Sequence, residues 1–394
     1  MKIAFVTNFC SHYRVKTWEV LASYHDLDYY FFSAGDEWYW LQHHGVKSGN
    51  FRHEYVPGFR LGRTRITPTL SFKLLWGNYD LFIKCINGRF ALPITYLIAR
   101  LKRKPFILWT GIWSRLQTPF HRLTFSLIRY IYRHADAIVV YGEHVKRYLV
   151  SEGVPTERIF VAAHTVDNES YNKQVSEEEK TALRQQLGIE PMTKIVLYLG
   201  RLEQIKGLAY LLEAVASLQR DDTVLVLAGA GSELSRLERL VQEKGLGKLV
   251  RFPGYVPVEK TVKYYAISWV YVLPSITLPE GKEPWGLVIN EAFNQGLPVI
   301  ATDAVGAAAG GLLQDGINGF VLPERDSFAL AQTLHSILDD ADLREQMSQN
   351  ARRMVTGWNN ERMVLGFRQA IAYAMRQQFT NHISCFSTQK DNTE

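Results

Sequence analysis

A chain of 394 residues, 47% hydrophobic and 21% charged, has the make-up of a folded protein and is long enough to bury two cores. No apolar run reaches the roughly 18 uncharged residues of a membrane-spanning helix, and Met1–Thr7 leads straight into polar residues, so neither a span nor a signal peptide is expected. The net charge of +6 hides an asymmetry: residues 1–165 hold 22 Lys and Arg against 11 Asp and Glu, the remainder 23 against 28. The basic half suits an anionic partner.

Three cysteines, Cys10, Cys85 and Cys385, stand far apart with no CxxC or Cys/His pairing. That spacing excludes a disulfide framework or structural zinc and fits reduced thiols in the cytoplasm.

In chain order, short apolar runs predict buried strands at Ile3–Thr7, Leu27–Phe32, Leu81–Lys84, Phe106–Trp109, Ala137–Val140 and Ile159–Ala162, with helical patterns between most of them. This alternation is the sequence form of a mostly parallel, doubly wound sheet. The polar stretch 169–190, with Gly188 and Pro191 as breakers, reads as a linker after a first domain of residues 1–168. The alternation restarts at Ile195–Leu199 and continues with Val224–Ala228, Leu249–Phe252, Val270–Leu273, Pro298–Ala301 and Phe320–Leu322. Two βαβ series predict two α/β Rossmann-like domains facing each other across a cleft, the second over 191–357. A helix over 358–379 is expected to cross back to the first domain, and 380–394 reads as a disordered tail.

Ligands of open α/β sheets bind beyond the carboxyl ends of the strands, so the loops there carry the chemistry. Gly200-Arg201-Leu202-Glu203-Gln204-Ile205-Lys206-Gly207 follows a strand and opens a helix. Gly200 allows close backbone approach, and Arg201 and Lys206 add two cations, a design suited to a diphosphate. Two surface cations flanking a turn would read the same way. The next strand ends in Gly229-Ala230-Gly231, a weak signal often produced by a tight turn alone; it lacks the spacing of a dinucleotide fingerprint.

Glu283 precedes the turn Pro284-Trp285-Gly286, and Glu291 follows eight positions on, inside a helical pattern with Leu287 and Val288. Two carboxylates set apart in this way can each accept a pair of hydroxyl hydrogen bonds, one from a ribose and one from a hexose. The N–H groups of Trp285 to Val288 at the helix start can meet phosphate. A helix-capping arrangement of the two glutamates is the plain alternative.

With these segments in place, residues 195–325 resemble the nucleotide-sugar domain of the family-4 retaining glycosyltransferases, which have the GT-B fold. The matching residues, in the family's order, run from Gly200, Arg201, Lys206 and Gly207 through Gly229, Gly231, Glu283, Gly286, Leu287, Glu291 and Ala292 to Gly296, Pro298, Gly316, Asn318 and Gly319. The resemblance implies that Arg201 and Lys206 hold the donor diphosphate, Glu283 the transferred sugar and Glu291 the ribose. It also implies retention of anomeric configuration, no metal and no cofactor, the donor being a UDP- or GDP-linked sugar. A nucleotide-sugar epimerase of the same fold and a non-enzymatic small-molecule binding protein are the alternatives.

The first half resembles the family more loosely. Its first loop reads Asn8-Phe9-Cys10-Ser11-His12-Tyr13-Arg14 where most members have a pair of glycines, and no histidine stands near Leu108–Trp113. His12, Tyr13, Arg14, Trp113 and His121 are the candidates for acceptor contact. His164 is assigned no catalytic role, and Asp26-Leu27-Asp28 reads as a polar turn, not a metal motif. Arg100, Lys102, Arg103 and Lys104, with Arg115, Arg122, Arg129 and Arg133 among Trp113, Phe120, Phe125, Tyr130 and Tyr132, suggest peripheral contact with an anionic membrane at its inner face. No nucleic-acid reading motif accompanies the charge. The acceptor is expected to be a glycan or a lipid-linked molecule.

Overall fold

The computed structural model describes residues 1–33 and 49–388, with side chains as far as residue 377. The chain begins with β1 (Lys2–Thr7), a 3-10 turn at His12–Arg14, α1 (Val15–Tyr24), β2 (Asp26–Phe31) and β3 (His53–Tyr55). The hairpin β4 (Phe59–Leu61) and β5 (Thr64–Ile66) leads into α2 (Pro68–Trp76), β6 (Leu81–Cys85), α3 (Ala91–Leu101) and β7 (Phe106–Thr110). Then come α4 (Pro119–His134), β8 (Ala137–Val140), α5 (Glu143–Ser151) and β9 (Ile159–Val161). Further on lie α6 (Asn168–Tyr171), α7 (Glu177–Gln186), β10 (Lys194–Leu199), α8 (Leu208–Leu218), β11 (Thr223–Ala228), α9 (Leu234–Glu243) and β12 (Val250–Gly254). The order closes with α10 (Val258–Ala266), β13 (Val270–Leu273), α11 (Val288–Asn294), β14 (Val299–Thr302), α12 (Gly306–Ala309), β15 (Gly319–Leu322), α13 (Ser327–Asp339), α14 (Ala341–Thr356) and α15 (Asn360–Thr388).

Two compact units result: Met1–Trp113 with Pro119–Ala163 and the chain from Asn360, and Ser114–Thr118 with His164–Asn359. Each is built on a parallel sheet, ordered β3-β2-β1-β6-β7-β8-β9 in the first and β12-β11-β10-β13-β14-β15 in the second. In both sheets the first strand of the series lies between its second and a later one, so the connections diverge there and leave a crevice at the carboxyl ends of β1 and β10.

The predicted strands form at or within two residues of their expected ends, most of them as runs of buried apolar side chains between covering helices, with β9, β12 and β15 less covered. β3 and β5, short and only partly buried, and β4, exposed along its length, carry no such run and are not among the expected strands. In the first unit the core closes over α15, whose Phe367 ring lies 5.7 Å from those of both Phe5 and Trp109.

Three expected boundaries are corrected. The stretch 169–190 is no linker but folds into the second unit as α6 and α7. Its polarity is that of a capped surface helix: Glu179 N–H donates to Ser176 Oγ at 3.3 Å, Ser176 N–H donates to Glu179 at 3.2 Å, and Leu183 is buried. The second unit begins at His164, not after 168, since Thr165 Oγ1 donates to Trp358 O at 2.6 Å and Asn168 Nδ2 to Val355 O at 3.1 Å. Finally, α15 continues to Thr388, past the expected start of a disordered tail at 380, for no glycine or proline interrupts that stretch. Residues 389–394 lie outside the described residues.

Candidate active site

The second unit's crevice opens where β10 ends. Gly200 turns the chain away from the sheet, and the loop it starts is tied down by two buried tyrosines: Tyr271 Oη donates to Leu199 O at 3.0 Å and Tyr198 Oη to Arg201 O at 2.5 Å. The Tyr198 and Tyr271 rings are stacked, their centroids 6.5 Å apart. Both hydroxyls are therefore spent on the backbone that carries Arg201.

Gly207 follows Lys206 in the left-handed region (φ 64°), and a Cβ there would stand 2.0 Å from Pro274 O. Only glycine lets this loop lie against the end of β13. The next two glycines serve packing too. A Cβ on Gly229 would meet Gly200 O at 1.8 Å, and one on Gly231 would meet Leu202 O at 2.2 Å. The loops after β10 and β11 thus lie backbone to backbone, with Leu202 N–H donating to Ala230 O at 2.9 Å.

Lys206 and Glu283, 77 residues apart, meet in an ion pair with side chains only 10% and 13% exposed. Burial pushes the Glu283 carboxyl up, but Lys206, Arg201 and Ser275 outweigh it and hold the group below the usual carboxylate range. The expected donor-site trio of Arg201, Lys206 and Glu283 is thus gathered in one place.

After Glu283 the chain divides its duties. Trp285 is buried, its Nε1 donating to Asn290 Oδ1 at 2.9 Å and its ring 5.2 Å from that of Trp358, so its side chain is core and only its backbone lines the turn. Gly286 (φ 91°) turns the chain into Leu287 and Val288 at the start of α11. Glu291 lies one turn inside α11, 8% exposed. Tyr265 Oη donates to it at 2.7 Å, Tyr171 bonds it as well, and burial raises its carboxyl to about 7. His164 is buried in the same region, its ring 6.1 Å from that of Trp285.

In the first unit the acceptor candidates do not form one cluster. His12 is exposed beside the Tyr13 ring, at 5.2 Å. Arg14 turns inward: it is 4% exposed, donates to Met363 Sδ at 3.0 Å and lies over the Trp109 ring at 5.3 Å, so it supports the core and does not face solvent. Trp113 packs edge-on against His144 at 5.1 Å, and His121 lies on α4 beside Phe120. Asp26 and Asp28 begin β2 and pair with Arg52, and Asp28 also pairs with Lys2 at 2.9 Å.

Sequence reasoning missed several residues here. Besides Tyr198 and Tyr271, Glu324 after β15 accepts Thr277 N–H at 2.6 Å and so fixes the loop after β13. Lys84 is fully buried, donating to Cys85 O at 2.7 Å and Asn87 O at 2.6 Å, and burial lowers its ammonium. A lysine inside the apolar run of β6 was the one available signal.

Taken together, the two doubly wound sheets define a two-domain α/β protein with Rossmann-like units. The family model described as "Glycosyl transferases group 1" matches residues 179–354, and "Glycosyltransferase Family 4" matches residues 28–170. The chain belongs to the GT-B glycosyltransferases of family-4 type. It is 29% identical over 267 residues to an alpha-D-kanosaminyltransferase of Streptomyces kanamyceticus, covering 65% of this chain and 67% of that one. It is 32% identical over 245 residues to a D-inositol 3-phosphate glycosyltransferase of Geodermatophilus obscurus, covering 58% and 51%. The match thus spans two thirds of the first relative and about half of the second. Among solved structures, Anabaena Alr3699/HepE in complex with UDP-glucose superposes with a TM-score of 0.74 at 22% identity, covering 94% of this chain and 99% of that one. WaaG, a glycosyltransferase involved in lipopolysaccharide biosynthesis, gives 0.69 at 18%, covering 90% and 95%.

Proposed function

We propose that this chain is a retaining glycosyltransferase that moves a hexosyl group from a nucleoside-diphosphate sugar to a glycan or lipid-linked acceptor, in polysaccharide or glycolipid synthesis and without a metal. The observation that carries the reading is the buried Lys206–Glu283 pair beside Arg201 at the carboxyl end of β10. Lys206 and Arg201 bring positive charge to a place where a diphosphate leaving group develops negative charge, the role a metal ion would otherwise fill. Glu283, kept ionised by those cations, accepts hydroxyl hydrogen bonds from the transferred sugar. The departing phosphate takes the acceptor's proton, so no strong protein base is required.

The UDP-glucose bound by Anabaena HepE favours a UDP-sugar. Glu291, already bonded by Tyr265 and Tyr171, is proposed to hold the ribose in its ionised form. The first unit handles the acceptor and meets an anionic membrane peripherally at its cytoplasmic face.

The test has two parts. In a thermal-shift panel of UDP-, GDP- and ADP-sugars, one nucleotide class should raise the melting temperature well above the others. Transfer from that sugar should give the retained anomer and survive EDTA. No shift with any donor, or a complete loss of transfer that metal restores, would overturn the reading.

A further inference from the structure

The outer face of α2, α3 and α4 is built unlike the outside of an ordinary domain. The strand order β6-β7-β8 is followed in sequence, so right-handed crossovers put α3 and α4 on one side of the first sheet. α2 joins them: Lys102, just past α3, donates from Nζ to Leu75 O and Gly77 O at 2.7 Å each. The Tyr96 ring of α3 meets the Tyr130 ring of α4 at 6.2 Å.

A helix packed on a sheet normally turns polar residues to water. Here each helix shows apolar residues outward at helical spacing: Phe72, Leu75 and Trp76 on α2, Leu97 and Leu101 on α3, Leu123 and Leu127 on α4. Trp76 is 81% exposed and Leu123 84%. The aromatic residues that the sequence offered for this role are mostly spent elsewhere: Tyr132 is buried, Trp113 packs on His144, and Phe120 lies under Arg89.

Charge points to the same surface. The three helices and the turn after α3 carry eight Lys and Arg and no acidic residue, and four of the eight pair with Glu54, Asp80, Asp136 and Glu152 nearby, so an excess of positive charge remains. Protein partners of a large apolar patch would be expected to meet a rim of mixed sign, whereas an excess of one sign around exposed leucines and a tryptophan matches a bilayer with anionic headgroups.

We propose that the α2–α3–α4 face is a membrane-docking surface, with Trp76, Leu101 and Leu123 entering the headgroup region of an anionic bilayer and the surrounding basic residues meeting its phosphates. This deepens the membrane contact proposed above. Its test needs no donor, so its failure and a failure of the donor assignment are told apart.

The full chain is sedimented with vesicles of phosphatidylglycerol mixed into phosphatidylcholine and with vesicles of phosphatidylcholine alone. Binding to the anionic vesicles only is expected, falling at high salt. Trp76→Ser with Leu123→Ser, both exposed positions whose loss spares the core, should weaken it by at least about tenfold. Arg122→Gln should weaken it about fivefold at low salt. Unchanged sedimentation of the Trp76/Leu123 variant, equal binding to both vesicle types, or a dimer in lipid-free solution that the same variant abolishes would overturn the proposal.

Discussion

Lys206 and Glu283 stand too far from water to act as ordinary surface charges, and that sets what their removal does. Glu283→Ala leaves an ammonium beside Arg201 in a nearly closed site, at a cost of about 3–5 kcal/mol of stability, so a lower denaturation midpoint should accompany the loss of activity. On the proposed mechanism Lys206→Ala and Glu283→Ala each cut transfer by about a hundredfold. Wild-type turnover in either variant would remove the pair from the mechanism. Glu291 makes the opposite contribution. Its carboxyl is raised from 4.5 to about 7, so the folded state binds its proton more tightly than the unfolded chain does. The stability this gives is full below about 4.5 and fades as pH rises through 7, a swing on the order of 3 kcal/mol. Glu291→Gln, which stays neutral, should therefore gain on wild type in urea melts as pH rises from 5 to 8. A constant difference across that range would contradict the buried, proton-holding environment described here. The same variant should weaken UDP binding if the ionised carboxylate grips the ribose.

At the scale of elements, the loop after β10 shows how a flexible-looking Gly-Arg segment becomes a fixed one. Its carbonyls at Leu199 and Arg201 are held by Tyr271 and Tyr198, which stand on neighbouring parallel strands. Tyr198→Phe keeps the ring and loses one hydroxyl, leaving the Arg201 carbonyl without that donor, at about 1–2 kcal/mol. UDP affinity and the rate should both fall while the sheet remains intact by circular dichroism. An unaltered affinity would show that the loop is positioned by its glycine contacts alone. The loop was legible in sequence because Gly200, Arg201, Lys206 and Gly207 follow an apolar run and open a helix. Its anchors were not, since Tyr198 and Tyr271 inside Ile195–Leu199 and Val270–Leu273 look like any aromatic residue in a buried strand. Hydroxyl partners come from adjacent strands, and the sequence shows no adjacency. For the same reason Gly229 and Gly231 read only as a weak turn signal, whereas the structure uses their missing side chains to bring two loops together. Arg14 looked like a ligand-facing side chain and is core, because burial depends on what folds over a turn and not on the turn itself.

At the scale of the whole molecule, the chain leaves the first unit near residue 163 and returns to it only at Asn360. The two units are consequently unequal as folding problems. The second is nearly continuous in sequence: only Ser114–Thr118 comes from outside His164–Asn359, and its ends are fastened locally by Thr165 and Asn168 on Val355 and Trp358. The first lacks part of its core until α15 arrives, for Met363, Phe367, Ile371 and Ala374 are all buried against its strands. A fragment of residues 164–359 should therefore melt cooperatively and, on the proposed assignment, still bind UDP. A fragment of residues 1–163 should not, because the face bearing Phe5, Trp18 and Trp109 would lie open to water where Phe367 now covers it. In the full chain Phe367→Ala should cost about 3–5 kcal/mol, felt in the first unit and not in the donor site of the second. Near-ultraviolet dichroism and urea melts of the fragments, with UDP titration of the larger one, read this directly. A sharp, cooperative melt of residues 1–163 alone would show that α15 is a passenger on that sheet and not a part of its core.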